Sequence, residues 1–453
     1  MAMEPRIVPR KEHRISRKQV SPNALRTLYR LHSRGFIAYL VGGCVRDLLL
    51  GRTPKDFDIG TNATPGQIKK LFHNCRLVGR RFRLAHLRFQ DEIVEVSTFR
   101  RSADPSDVIE PDEANQGRRH VRHMKDANGM VLADNIFGTP EEDALRRDFT
   151  INALAYNIAD ASIVDYCTGL IDLKERLIRS IGDPRVRFTE DPVRMLRAVR
   201  FAASHGFDIE ASAWDSIREL CSTISRASPS RLYEEIQKLF LLGFGCPTFA
   251  LLEKSGLLAA LFPDLAGWGR EREGRFEVLE KNLAGIDELV RGGQGASVAL
   301  LFAALFGPRL EEGALIHHRE GIPRRQALDE VCAGFLKEIS QSAQIPGRVG
   351  ARLNSILALK TSLCRMPPRR PATLAGRPEF AETFTYLELA AGLKGEHRPV
   401  LEWWKAYLLE NPAAGAVEPP AEEAARKKRR RRRKKPRRRR SAVVREEGTT
   451  HGQ

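Results

Sequence analysis

The sequence predicts an α+β protein: a small mixed-sheet head, a long all-helical remainder and a basic tail. Three observations predict it. Tyr39-Leu40-Val41 reads as a short buried strand running into the glycine pair Gly42-Gly43, and the chain re-enters a strand at Asp56-Phe57-Asp58. Residues 92–99 alternate apolar and polar side chains with the period of two expected of a strand. From Pro140 to about residue 410, apolar residues recur at helical spacing in segment after segment.

The length of 453 residues allows more than one core, and the 42% hydrophobic content is that of an ordinary globular chain. No run of about twenty apolar residues is present, so no membrane span is expected. The start, Met-Ala-Met-Glu-Pro-Arg-Ile, lacks the apolar core of a secretory signal. Seven cysteines without a C-x-x-C pair read as reduced thiols, neither a disulfide frame nor a zinc site, and a cytoplasmic location is expected. The formal net charge of +18 sits mostly at one place: fourteen of the fifteen residues at 426–440 are Lys or Arg.

In order, residues 1–20 are polar and basic and read as a flexible N-terminus. Ser21-Pro22 opens a helix with the period Leu25, Leu28, Tyr29, Leu31, His32, ended by Gly35. The first strand and the glycine pair follow. Without a Cβ, Gly42 and Gly43 let backbone N–H groups approach a ligand closely, and the short helix from Val45 to Leu50 directs its N-terminus into the same space. Residues i and i+2 of a strand share a face, so Asp56 and Asp58 project together while Phe57 and Ile59 face the core. Two carboxylates held that close repel unless a cation lies between them, and hard oxygen ligands suit Mg²⁺. A phosphate cradle beside metal-binding carboxylates means phosphoryl or nucleotidyl transfer.

Thr61 to Pro65 caps a helix ending near Phe72. Leu77 to His86 leads into a strand pair whose second member is 92–99. There Val94 and Val96 point one way and Ile93, Glu95 and Ser97 the other. Glu95 is either a third carboxylate beside the aspartates or an exposed strand glutamate; the segment alone fits both. Residues 101–135, with His120 and His123, read as a long mobile loop. Arg146, Arg147, Asp148 and Asn152 fall in one short amphipathic helix, where arginine suits triphosphate oxygens and Asp148 suits a ribose hydroxyl or an arginine. Residues 162–172 read as a hairpin.

Asp191 is expected to cap a helix beginning at Pro192, with Arg194 and Arg197 at successive i,i+3 steps. On its own the segment describes a capped, ion-paired helix. It also offers a carboxylate acceptor beside a guanidinium donor, the complement of adenine's N6–N1 edge and cytosine's N4–N3 edge; uracil and guanine present the reverse. Rejection would leave both protein groups unpaired, at roughly 1–3 kcal/mol for each. Further helices are expected at 211–224, 230–242, 247–257, 275–292, 296–306, 324–341, 348–361, 380–392 and 398–409, with a Glu234–Lys238 pair and with Trp403 and Trp404 as packing residues. Residues 411–425 form a linker. The 426–440 stretch cannot pack on itself and suits a polyanion.

Together, over Leu40–Phe99 and Asp134–Phe240, these motifs resemble the class II tRNA nucleotidyltransferase and bacterial poly(A) polymerase superfamily of polymerase β-like nucleotidyltransferases. The resemblance implies a catalytic head at 21–145, a helical neck at 146–240 that binds nucleotide and RNA, a helical RNA-binding body at 241–410 and a disordered tail at 411–453. It implies that Asp56, Asp58 and Glu95 bind catalytic Mg²⁺, that Gly42, Gly43 and Arg46 hold the triphosphate, that Arg147 and Asp148 act at the ribose and phosphates with Asn152 beside them, and that Asp191, Arg194 and Arg197 read the base. Arg80 to Ala85, Asp134 to Thr139 and the polyarginine end favour the poly(A) polymerase branch, which adds AMP from ATP to RNA 3′ ends and promotes RNA turnover, over CCA or A addition to tRNA. RNA-decay proteins are implied as partners, and a monomer is expected. The rival of another class is a non-catalytic RNA-binding protein working through its tail.

Overall fold

The computed structural model describes residues 4–79, 83–101, 123–125, 131–134, 136–395 and 397–412. The chain divides into two compact units, Met1–Leu357 and Ala358–Gln453. The polybasic stretch and most of the 101–135 loop, including His120, lie outside the described residues; within that loop His123–Lys125 and Val131–Asp134 pair as antiparallel strands.

The head of the first unit is a mixed eight-stranded sheet. In chain order its strands are β1 (Arg6–Val8), β2 (Ala38–Val41), β3 (Asp58–Thr61), β4 (Cys75–Val78), β5 (Leu84–Arg88), β6 (Ile93–Thr98), β7 (Ala155–Asn157) and β8 (Ile163–Asp165). Across the sheet they run β1, β8, β7, β2, β3, β6, β5, β4. All neighbours are antiparallel except β3 and β6. The parallel pair needs a crossover, which the helix Pro65–Leu71 and strands β4 and β5 supply. Alternation in β6 is as expected, with Val94, Val96 and Thr98 buried and Glu95 partly exposed.

The N-terminus corrects the sequence reading. Residues 4–20 are not a free arm: β1 pairs with β8, Ile15 and Val20 are buried, and the His13 ring and Arg17 guanidinium hydrogen-bond the Ala161 and Ile158 carbonyls. Few apolar residues lie there, but they are spaced to seal the sheet edge. Residues 162–172 are only half a hairpin. β8 pairs with β7, and Gly169–Glu175 is then helical because the Asp165 carboxylate accepts from the Gly169 and Leu170 amides that open it.

The helices of the first unit follow the predicted periods, including Ala211–Leu220, Pro229–Phe240, Gly245–Ser255, Arg275–Arg291 and Arg324–Ser342. The helix expected to stop at 306 continues as Val298–Arg319 through Pro308, held by buried Leu310 in the following turn. Leu257–Leu261, Pro263–Glu271 and Pro371–Ala375 are additional short helices. In the second unit, Trp404 packs with Leu363, Phe380, Leu387 and Val400 and donates its indole N–H to the Leu363 carbonyl at 3.1 Å, so the tryptophans pack as expected. No helix of the described residues is long and apolar enough to cross a membrane.

Candidate active site

Gly42 follows β2 at φ +79°, a conformation that favours glycine, and a Cβ there would stand 2.9 Å from a terminal nitrogen of Arg147. The helix Gly43–Leu49 starts at that turn and carries Arg46 on its buried side. Asp56 is exposed just before β3, Phe57 and Ile59 are buried, and Asp58 is half-buried at the strand's first residue. Glu95 stands opposite Asp58 in the parallel β3–β6 ladder. Burial first, and then the charges of Glu95 and Asp56, push the Asp58 carboxyl from 3.8 up to about 6 against the pull of Arg147. The three carboxylates are near enough to repel. They are not drawn together as a cage, for among the described residues no three His, Cys, Asp or Glu side chains stand close enough to enclose an ion.

Facing them is an arginine cluster, and here the local structure differs from expectation. Arg146 to Asn152 is not one helix: Pro140–Leu145 ends at Arg146, and Thr150–Asn152 forms a separate 3-10 turn. The break lets Asp148 turn inward. Its Oδ2 accepts from Arg197 at 2.6 Å and its Oδ1 from Asn152 at 3.2 Å and the Phe149 amide at 2.9 Å. Burial would raise its carboxyl, but Arg197, Asn152 and Arg194 outweigh it and hold Asp148 well below the usual range. Asn152 relays between the two sides, its Oδ1 accepting from Arg46 at 2.7 Å. Arg147 is gripped by Asp143 at 3.0 Å. Arg46, Arg197 and Arg200 all approach the ring of Phe201, at 5.2, 5.3 and 4.4 Å.

Asp191 departs most from the sequence reading. It ends the helix Pro184–Glu190, Pro192 takes the N-cap place of Val193–His205, and no side chain caps that helix. Its carboxylate is held by Arg231, at 3.0 and 2.8 Å to the two terminal nitrogens, and its charge also acts on Arg194. The planar fork of Arg231 meets both carboxylate oxygens, a bidentate pair. Arg194 instead reaches the Arg146 carbonyl at 3.4 Å, and its other terminal nitrogen is buried with no hydrogen-bond partner. Burial lowers Arg194 despite Asp191 and Asp148, and burial followed by Arg194's own charge brings Arg187 down to about 10.

Sequence reasoning missed Asp143, Arg187, Arg200, Arg231 and Glu235. Arg200 continues the i,i+3 stripe of Arg194 and Arg197, and its Nε donates to buried Glu235 at 2.6 Å. Glu235 lies on the apolar face with Leu232, Ile236 and Leu239, a charged residue at a core position, and that was the available signal. Lys238 lies 3.9 Å from Glu235, in place of the expected Glu234 pair.

Family models for the poly A polymerase head domain, the probable RNA and SrmB-binding site of polymerase A and the polymerase A arginine-rich C-terminus match residues 38–179, 206–268 and 320–440. Over 411 residues the chain is 43% identical to Poly(A) polymerase I of Salmonella typhimurium, covering 90% of this chain and 86% of that protein. The chain belongs to the poly(A) polymerase I family. The Haemophilus influenzae Poly(A) polymerase I is 40% identical, over 88% of this chain and 86% of that one. A CCA-adding enzyme of Leuconostoc mesenteroides matches less of the chain, 38% identical over 47% of it and 48% of its own length. Among solved structures, the Bacillus stearothermophilus CCA-adding enzyme in complex with CTP superposes with a TM-score of 0.57 at 26% identity, covering 87% of this chain and 84% of that one. A tRNA nucleotidyltransferase complexed with a primer tRNA and an incoming ATP analog shares the fold, with a TM-score of 0.56 at 22% identity over 84% of this chain and 99% of its own. As a poly(A) polymerase family member the chain is a nucleotidyltransferase of mixed-sheet head and helical body. Such enzymes generally use a divalent metal ion. The donor set suits one by type, being three hard carboxylates, and Asp58 is pushed up by burial first and then by Glu95 and Asp56.

Proposed function

We propose that this chain adds AMP from ATP to RNA 3′ ends without a template, and that the RNAs it extends are directed to turnover by decay proteins. One observation carries the proposal: Asp58 is crowded by Glu95 and Asp56 on one side and drawn by Arg147 on the other, where the arginine cluster keeps buried guanidinium nitrogens of Arg187 and Arg194 unpaired. A dication with a nucleoside triphosphate satisfies both. The relatives named Poly(A) polymerase I support adenylate as the unit added.

Asp56, Asp58 and Glu95 would hold Mg²⁺. The chemistry a bound dication supplies is a lowered pKa for the attacking hydroxyl and neutralised charge on the phosphoryl oxygens. The bond from the primer 3′ oxygen to the α-phosphorus forms, and the bond to the bridging oxygen of pyrophosphate breaks. Arg46, fixed by Asn152, and Arg147, fixed by Asp143, take the charge that builds on the leaving pyrophosphate, close to the backbone of Gly42 and Gly43. Asp148, with its oxygens engaged by Arg197 and Asn152, anchors that layer and offers its remaining acceptor capacity to the ribose. The unpaired Arg194 nitrogen would donate to adenine N1, and Asp191 would accept from N6. Cytosine offers the same pattern, so exclusion of CTP requires the pocket's shape.

The experiment is primer extension on a generic RNA with each nucleotide separately, beside a tRNA lacking its end. Extension by ATP on both is expected. CTP incorporation on the tRNA would contradict the assignment and favour CCA addition, and absence of any nucleotide turnover would leave only an RNA-binding protein.

A further inference from the structure

Four neighbouring strands of the head place one residue each in a single row: Asp58 on β3, Glu95 on β6, His86 on β5 and Arg76 on β4. Residues directly opposite each other on paired strands project from the same face. The residues flanking the row, among them Val94, Val96, Ala85 and Leu87, are buried on the other face. Within the row the His86 Nε2 lies 3.1 Å from Glu95 Oε1. A carboxylate can only accept, so Nε2 is the donor. The Glu95 side chain is 45% exposed and on three rotatable bonds, so without a partner it would sample several orientations.

We infer that His86 is a positioning residue for Glu95, fixing one carboxylate oxygen so that the group meets the cation in a set orientation. Hydrogen-bond partners of ligating side chains act in this way, and their loss costs about 10–100-fold in metal affinity. This rests on Asp58 and Glu95 being ligands, and the test separates the two assignments.

The test titrates Mn²⁺ into the full-length protein, without nucleotide or RNA, at one fixed pH, and reads binding by calorimetry. The wild type binds. His86→Ala weakens Mn²⁺ at least about tenfold. His86→Gln, whose amide N–H replaces Nε2, recovers most of the loss, and His86→Leu, which fills the space without a donor, does not. The metal concentration for half-maximal AMP incorporation rises in the Ala and Leu variants, and the rate at saturating metal is largely restored. Unchanged or tighter Mn²⁺ binding in both His86→Ala and His86→Leu overturns the inference, as does a loss in Gln equal to that in Leu. If Asp58→Asn binds Mn²⁺ like the wild type, the ligand assignment itself fails.

Discussion

Asp58 and Asp148 are both inward-facing aspartates of one site, yet their surroundings drive them in opposite directions. Asp58 sits among carboxylates at the start of β3 and rises to about 6. Asp148 is more deeply buried, but Arg197, Asn152 and Arg194 surround it and hold it well below the ordinary range. Burial alone would raise both; the neighbours decide the sign. On the arginine side Asp148 is engaged by Arg197 and Asn152, while burial pushes Arg194 and Arg187 down. The two halves carry charge of opposite sign and meet at Arg147, which is held by Asp143 and also pulls on Asp58. A dication answers one half and a polyphosphate the other.

Breaking the carboxylate half has the largest expected effect. Asp58→Ala should lower AMP incorporation by on the order of 10³-fold or more, with RNA affinity by filter binding near the wild-type value. An active variant would remove these carboxylates from the mechanism. Breaking the arginine half at its anchor follows. Asp148→Asn takes from Arg197, whose side chain is about a third exposed, its nearest counter-charge. It should cost about 1.5–3 kcal/mol of folding stability in denaturant unfolding.

A pH experiment sharpens the contrast. A carboxyl whose folded pKa lies above its unfolded 3.8 favours the folded state fully below that value and loses the contribution as pH rises through about 6. Asp58 should thus make the metal-free protein less stable at pH 7 than at pH 4 by up to about 3 kcal/mol, apart from the opposite trend of Asp148 and Asp143 at lower pH. Asp58→Asn should raise the metal-free melting temperature at pH 7 and abolish its increase on adding Mg²⁺. A smaller effect tests base reading. Arg194→Met should reduce selection of ATP over UTP by about 5–150-fold, the equivalent of 1–3 kcal/mol, in single-nucleotide incorporation. The smallest lies outside the site. Deleting 426–453 should spare single additions on short primers, shorten tails at physiological salt and flatten the salt dependence of RNA binding by about 0.7 log–log units for each phosphate released. Equal tail lengths from both proteins would deny the tail a role.

Much of this was legible in the sequence. Period-two alternation put Glu95 and the buried valines on opposite faces of β6, whereas Asp56 lies in a bend before β3, so the i,i+2 strand rule does not reach it although its charge acts on Asp58. Most helices followed from their apolar spacing. What was not legible depends on partners far away in the chain. Nothing local to Asp191 announces Arg231, forty residues on, as the partner that takes both of its oxygens. The break between Pro140–Leu145 and Thr150–Asn152 is set by where Asp148 must point, a tertiary demand that overrides local helix spacing. The N-terminal strand was hidden because β1 is only three residues long, and its pairing with β8 gives it its form.

The most direct measurement is the proton count on cation binding. Mg²⁺ would be titrated into the nucleotide-free protein by calorimetry, in buffers of differing ionisation enthalpy, at pH 6 and pH 8. With Asp58 at about 6, binding should release about half a proton at pH 6 and close to none at pH 8, and Asp58→Asn should lose the release. No binding, or binding with the same proton count at both pH values, would contradict a cation held by Asp58.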